Sequence, residues 1–211
     1  MFTKALLPDT FRALQLVSKI SAFQKAYLAG GTALALLIGH RISVDLDFFT
    51  EKEFDENRTA NSLSNIKEFK ELRKDWRTIL GKINKTSVSL FYYKYPLIEK
   101  PHTFEEIQII GKRDLAAMKL HAIEERGTRR DFIDLFFIAN DYSLDEIIEL
   151  YDQKYGVLDD HLYSIVRALN YFEDAERELS MPKMLVDVSW EDVKRFFKRE
   201  SLRLAKEKLG V

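Results

Sequence analysis

Two adjacent glycines, Gly30 and Gly31, stand between a short apolar stretch, Ala26 to Ala29, and a compact apolar run from Thr32 to Ile38. This junction constrains the fold more than any other feature of the chain. An apolar strand that meets two glycines and continues as a buried helix must turn tightly, and its backbone can approach a ligand more closely than a side chain would permit. The helix opening there offers free N–H groups and a positive dipole end, which suit a phosphate. A Gly-Gly pair alone is more often a plain tight turn.

The next segment changes that balance. Residues Arg41 to Thr50 alternate as a strand does, with Ile42, Val44, Leu46 and Phe48 on one side and Ser43, Asp45 and Asp47 on the other. Two carboxylates two residues apart share a face, and they repel unless a cation lies between them. Magnesium, or manganese in its place, prefers carboxylate and phosphate oxygens. An isolated Asp-x-Asp is more often just the polar face of a half-exposed strand. Glycine pair, helix and carboxylate strand together propose a phosphate cradle beside a metal pair, the geometry that nucleotidyl transfer needs. Ser43 shares the carboxylate face, whereas Arg41 either reaches a phosphate or pairs with a surface acid.

Around this centre the pattern predicts a helix from Asp9 to Lys25, a polar helix from Asp55 to Leu72, strands over Trp76 to Ile83 and Thr86 to Tyr95 joined at Asn84-Lys85, and a short strand from Ile107 to Ile110. From Asp114 onward the chain reads as helical: to Arg126 with Gly127 as its stop, Arg129 to Asn140, Ser143 to Gly156, Asp159 to Leu179, and Ser189 to Leu209. The expected organisation is an α+β core over residues 1–113 and a helical domain over 114–211. Of 211 residues, 46% are hydrophobic, enough for one substantial core or two small ones. With 33 basic and 34 acidic residues, any nucleic-acid surface must be local. The absence of cysteine excludes disulfides and thiolate metal sites. Met1 to Leu7 lacks the apolar stretch of a secretory signal, and no segment approaches the roughly twenty apolar residues of a membrane span, so the chain reads as a soluble cytoplasmic protein.

The run LAGGTALALLIGHRISVDLDFFT resembles the signature of the AbiEii/AbiGii toxin-type nucleotidyltransferases, a bacterial branch of the polymerase-β superfamily. A second run, DLAAMKLHAIEERGTRRDFIDLFFI, from Asp114 to Ile138, resembles the same family's downstream motifs: a helical lysine, then an arginine and an Arg-Asp-x-x-Asp element. The blocks follow the family's order and cover about a quarter of the chain. The resemblance implies a polymerase-β-type mixed-sheet core followed by a helical bundle, and an enzyme that moves a nucleoside monophosphate from an NTP onto an acceptor, either a tRNA 3′ end or a protein hydroxyl. It further implies the toxin half of a toxin–antitoxin or abortive-infection pair, with a cognate antitoxin. Gly31 and Thr32 then hold the triphosphate, beside Gly30 in the same candidate nucleotide-binding turn, Asp45 and Asp47 bind magnesium, and Lys119 contacts nucleotide phosphate. Asp131 or Asp134 is the final motif aspartate. Lys119 and Arg126 lie on one helical stripe, which admits Arg126 as a further nucleotide contact. Ordinary pairing with Arg126, Arg129 or Arg130 is the competing reading for either aspartate.

One departure stands out. Polymerase-β enzymes usually carry a third carboxylate on a later core strand, but Ser87 to Phe91 offers only serines and no acid. Asp131 or Asp134 then substitutes as base. His40 and His121 lack metal-ligand spacing and read as structural. Seven basic residues against two acidic ones between Lys194 and Lys208 form either a solvated face or a grip on an RNA backbone. The rival functions are an antibiotic-type small-molecule nucleotidyltransferase, a catalytically silent NTP-binding regulator, and a nucleic-acid-binding module acting through that last helix.

Overall fold

A computed structural model describes residues 1–156, 161–178 and 180–210. It divides into two compact units, Met1–Gly111 and a second that begins at Lys112.

The first unit opens with α1 (Pro8–Val17) and the short α2 (Ser21–Gln24). The single helix expected over this stretch is broken at Ile20, whose backbone is extended. There follow β1 (Tyr27–Ala29), α3 (Gly30–Ile38), β2 (Leu46–Thr50), α4 (Glu56–Ser64), β3 (Phe69–Asp75), β4 (Thr78–Ile83), β5 (Thr86–Tyr92), β6 (His102–Phe104) and β7 (Ile107–Ile109). The strands form a mixed sheet in the order β3-β4-β5-β2-β1-β7-β6. Strands β2 and β5 run parallel, as do β1 and β7, while the other neighbours are antiparallel. Strand β1 is central and buried throughout, which is why its sequence is continuously apolar rather than alternating. Phe23 packs edge-on against Phe48 beneath it, with ring centroids 4.9 Å apart.

Two further elements of this unit differ from the sequence reading. The helix expected to reach Leu72 ends at Ser64, and Phe69–Asp75 is an edge strand instead. Nearly every β3 side chain is exposed, so no buried face imposes the alternation by which a strand is recognised. Its anchor is Phe69, whose ring occupies the space a Cβ on Gly81 would fill. The carboxylate strand is also shorter than expected, beginning at Leu46 rather than Arg41. Before it the expected alternation is reversed, for Ser43 is buried and Val44 exposed. The cause is the N-terminal segment: Ser43 N donates to the Ala5 carbonyl at 3.0 Å and forms a parallel bridge with Leu6, which turns this stretch away from the sheet's own register.

The second unit is a helical bundle of α5 (Lys112–Glu125), α6 (Arg129–Ile138), α7 (Leu144–Tyr155), α8 (His161–Leu169), α9 (Glu173–Glu176) and α10 (Trp190–Leu204), closed by a π-helical turn over Ala205–Leu209. Gly127, at φ 49°, takes the left-handed conformation that ends α5, and Ser143 with Glu146 forms a capping box on α7. The helix expected from Asp159 to Leu179 is resolved into α8 and α9; residues 157–160 and 179 lie outside the described residues. Phe132 centres the core, with Phe172 and Phe197 rings at 5.0 and 5.3 Å. Lys154 reaches from α7 to Asp114 on α5 at 2.7 Å, an ion pair with both side chains fully buried.

Candidate active site

The diglycine turn and the acidic segment meet across one pair of strands. Ala29, the last residue of β1, is the register partner of Asp47 on β2, so the turn that follows begins beside that carboxylate. Gly30 adopts φ 65°, and a Cβ added there would stand 3.2 Å from Asp47 Oδ2. Glycine is therefore needed twice, for a left-handed backbone and for room beside the acid. Helix α3 starts at this point with no side-chain cap, so its first N–H groups remain available to an anion.

The acidic segment is held from behind. Ser89 on β5 is the register partner of Asp47, and its hydroxyl donates to Asp47 Oδ1 at 2.6 Å. Thr32, buried in the first turn of α3, donates its hydroxyl to the Asp45 carbonyl oxygen and lies 2.8 Å from Ser43 Oγ. Asp45 thus sits one residue before β2, tied by its backbone to the helix that carries the diglycine turn. Both acids are half-buried. Arg41 is buried, with its guanidinium donating to the Ile42 carbonyl at 3.1 Å. Gly30, Gly31, Thr32, Ser43, Asp45 and Asp47 are gathered on adjoining elements; Ser89 is the member that sequence reasoning missed. The signal lay in the register, because a serine alternating with apolar Val88 and Leu90 on a parallel neighbour of β2 meets the second aspartate, not the core.

Hard oxygens from two carboxylates suit magnesium or manganese. No group of three or more His, Cys, Asp or Glu is assembled among the described residues, so such an ion would need oxygens from the triphosphate and water to complete its shell. The residues present fit that arrangement.

The second unit holds a separate cluster. Lys119 Nζ lies 3.0 Å from Asp131 Oδ1 and 2.6 Å from Asp134 Oδ2, with all three side chains buried. Arg126 adds Nε to Asp131 Oδ2 at 3.0 Å, and the Thr128 hydroxyl donates to the same oxygen at 2.6 Å while capping α6. Burial would raise the Asp131 pKa, but the Lys119 charge and the Arg126 hydrogen bond outweigh it and hold the carboxyl well below its usual range. A carboxylate so stabilised is a weak proton acceptor. Arg126 itself is mostly exposed and borders a cleft of about 440 Å³ with Gly127, Arg167 and Tyr171.

The basic stretch of α10 is largely neutralised. Lys194 pairs with Glu176 and Glu191, Arg195 with Asp192, Arg199 with Glu200, Arg203 with Asp145 and Glu207, and Lys208 with Asp145. This is a salt-bridged face rather than a bare cationic one.

A mixed sheet with a diglycine turn against paired acids, followed by a helical bundle, is the fold of the polymerase-β-type nucleotidyltransferases. The chain belongs to the AbiEii family, described as nucleotidyl transferase AbiEii toxin of a type IV toxin–antitoxin system, whose model matches residues 12–109. It is 37% identical over 203 residues to the protein aq_aa25 of Aquifex aeolicus (strain VF5), covering 93% of this chain and 96% of that one. Two solved structures share the fold. JHP933 from Helicobacter pylori superposes with a TM-score of 0.60 at 17% identity, covering 96% of this chain and 94% of that one. MenT4, the nucleotidyltransferase toxin Rv2826c of Mycobacterium tuberculosis H37Rv, does so with a TM-score of 0.54 at 19% identity, covering 90% and 80%. Among the described residues no helix is long and apolar enough to cross a membrane.

Proposed function

We propose that this chain transfers a nucleoside monophosphate from an NTP to an acceptor hydroxyl, on a tRNA 3′ end or a protein, and does so as the toxin of a toxin–antitoxin pair. The observation that carries this reading is the close approach of the Gly30 turn to the Asp47 carboxylate, a helix end of the kind that suits an anion beside an acid of the kind that suits a cation. In this reading the backbone N–H groups of Gly30, Gly31 and Thr32 cradle the triphosphate, the Thr32 hydroxyl being engaged with the Asp45 backbone. Asp45 and Asp47 hold the divalent ion, which when bound supplies charge neutralisation at the α-phosphate and the departing pyrophosphate. Lys119 and Arg126 take the role of phosphate contacts, and Asp131 and Asp134 orient them. The depressed Asp131 pKa argues for that orienting role over service as the general base.

Purified protein incubated with each α-labelled NTP, magnesium and cell extract should label one acceptor class from one nucleotide. RNase and protease treatment then tell a tRNA acceptor from a protein one. An extract in which no macromolecule is labelled, combined with labelling of aminoglycosides, would move the chain to the small-molecule branch of the same chemistry. Expression of the wild-type gene should arrest growth, and co-expression of the cognate antitoxin should relieve it.

A further inference from the structure

Asp47 is gripped asymmetrically. Its Oδ2 lies against the Gly30 turn, where a single added methyl would stand 3.2 Å away. Its Oδ1 receives the Ser89 hydroxyl at 2.6 Å, from the residue directly across the β2–β5 ladder. Ser89 is itself buried, at 7% exposure, so water competes weakly for that hydrogen bond. The other acceptor within its reach, the Leu46 carbonyl, is at 3.4 Å and so makes much the weaker bond. A short hydrogen bond between a buried hydroxyl and a carboxylate is strong because the acceptor is charged, and it also fixes the torsion of the acid that accepts it.

We propose that Ser89 is the positioning residue of the metal site: it anchors Oδ1 of Asp47 and thereby directs Oδ2 toward the cation at the diglycine turn. The inference rests on the reading of Asp45 and Asp47 as metal-holding residues. It gives a role to the strand that offers serine and no carboxylate. A third acid beside Asp47 would add a ligand and a further negative charge to be neutralised, whereas a hydroxyl adds neither and instead makes one existing ligand rigid. The site then depends on two well-aimed carboxylates and the oxygens of the nucleotide. An oxygen left free to rotate would cost ordering entropy each time an ion entered.

The test compares Ser89→Thr with Ser89→Val, which have nearly the same shape and differ in the hydroxyl, with Ser89→Ala as a third variant. Full-length proteins with cooperative melts are titrated with Mn2+, and the free ion is read by electron paramagnetic resonance, in the absence and presence of α,β-methylene analogues of ATP and GTP. Wild type and Ser89→Thr should bind Mn2+ alike in the presence of the accepted analogue. Ser89→Val and Ser89→Ala should bind it about tenfold more weakly, the loss expected for one hydrogen bond to a charged group. Analogue binding without metal should stay unchanged. Equal Mn2+ affinity in the Thr and Val variants overturns the role of Ser89 and leaves the nucleotidyltransferase reading intact. A wild-type protein that takes up no Mn2+ with either analogue removes the metal site itself, and the positioning role with it.

Discussion

The acids of the two units are treated in opposite ways. Asp45 and Asp47 are half-buried at the start of β2, and Asp47 is steadied by a neutral hydroxyl. Asp131 and Asp134 are fully enclosed around the Lys119 ammonium, with Arg126 and Thr128 completing the shell of Asp131. A half-exposed carboxylate can exchange water for an incoming cation at small cost, whereas a buried pair loses its partner only by exposing an uncompensated charge. The first arrangement suits ligand exchange and the second suits permanence. Substitutions at the first place should therefore cost activity alone, and those at the second stability as well.

The largest effect is expected in the first region. Asp47→Ala should lower nucleotide transfer on the order of a thousandfold, comparable to removing a principal transition-state contact, while leaving the urea midpoint near that of wild type. A variant that unfolds instead would erase the contrast between the regions. Next comes Lys119→Ala, which leaves Asp131 and Asp134 facing each other in the core. It should cost roughly 3 kcal/mol in denaturant melts, in addition to any loss of activity. A stability within about 0.5 kcal/mol of wild type would show that the cluster is not the permanent ion pair its geometry describes.

The acid limb sharpens the same point. The Asp131 pKa is lowered in the folded state, so its stabilising contribution is fully present above the ordinary carboxylate value of about 4 and is lost as pH falls through the folded value below it. The stability gap between wild type and Asp131→Asn should be constant from about pH 5 upward and shrink below about pH 4. A gap that narrows already near neutrality would contradict the sign of that shift. The smallest effect belongs to α10, where the exposed Arg195 and Arg199 pair with acids on their own helix. Replacing either with alanine should change stability by less than about 0.5 kcal/mol and transfer less than about twofold. A large loss of transfer to RNA alone would restore that helix as a backbone grip.

The sheet core and the diglycine turn were legible for a shared reason. Gly30-Gly31 between apolar runs and the Asp45-x-Asp47 spacing are local patterns, and central strands such as β1 and β5 write their burial into consecutive residues. Strand β3 was illegible because a solvated edge exerts no such pressure, and its polar run from Lys70 to Asp75 matched an exposed helix equally well. The stretch from Arg41 to Asp45 misled for another reason. Its partners, Ala5 and Leu6, lie far back in the chain, and their pairing overrode the alternation. The stripe of Lys119 and Arg126 was visible as helical spacing, and Arg126 was among the partners weighed for Asp131, but that Lys119 converges there too was not.

By itself the sequence determined the family, the residue types of the candidate site and the order of a mixed sheet and a helical bundle, because each follows from short-range spacing and composition. Tertiary structure alone decided which oxygen of Asp47 is anchored, by a serine 42 positions away, and which acids are enclosed with a lysine. Such choices depend on strand register and helix packing, and a single-residue slip in either would present a different side chain at the same place.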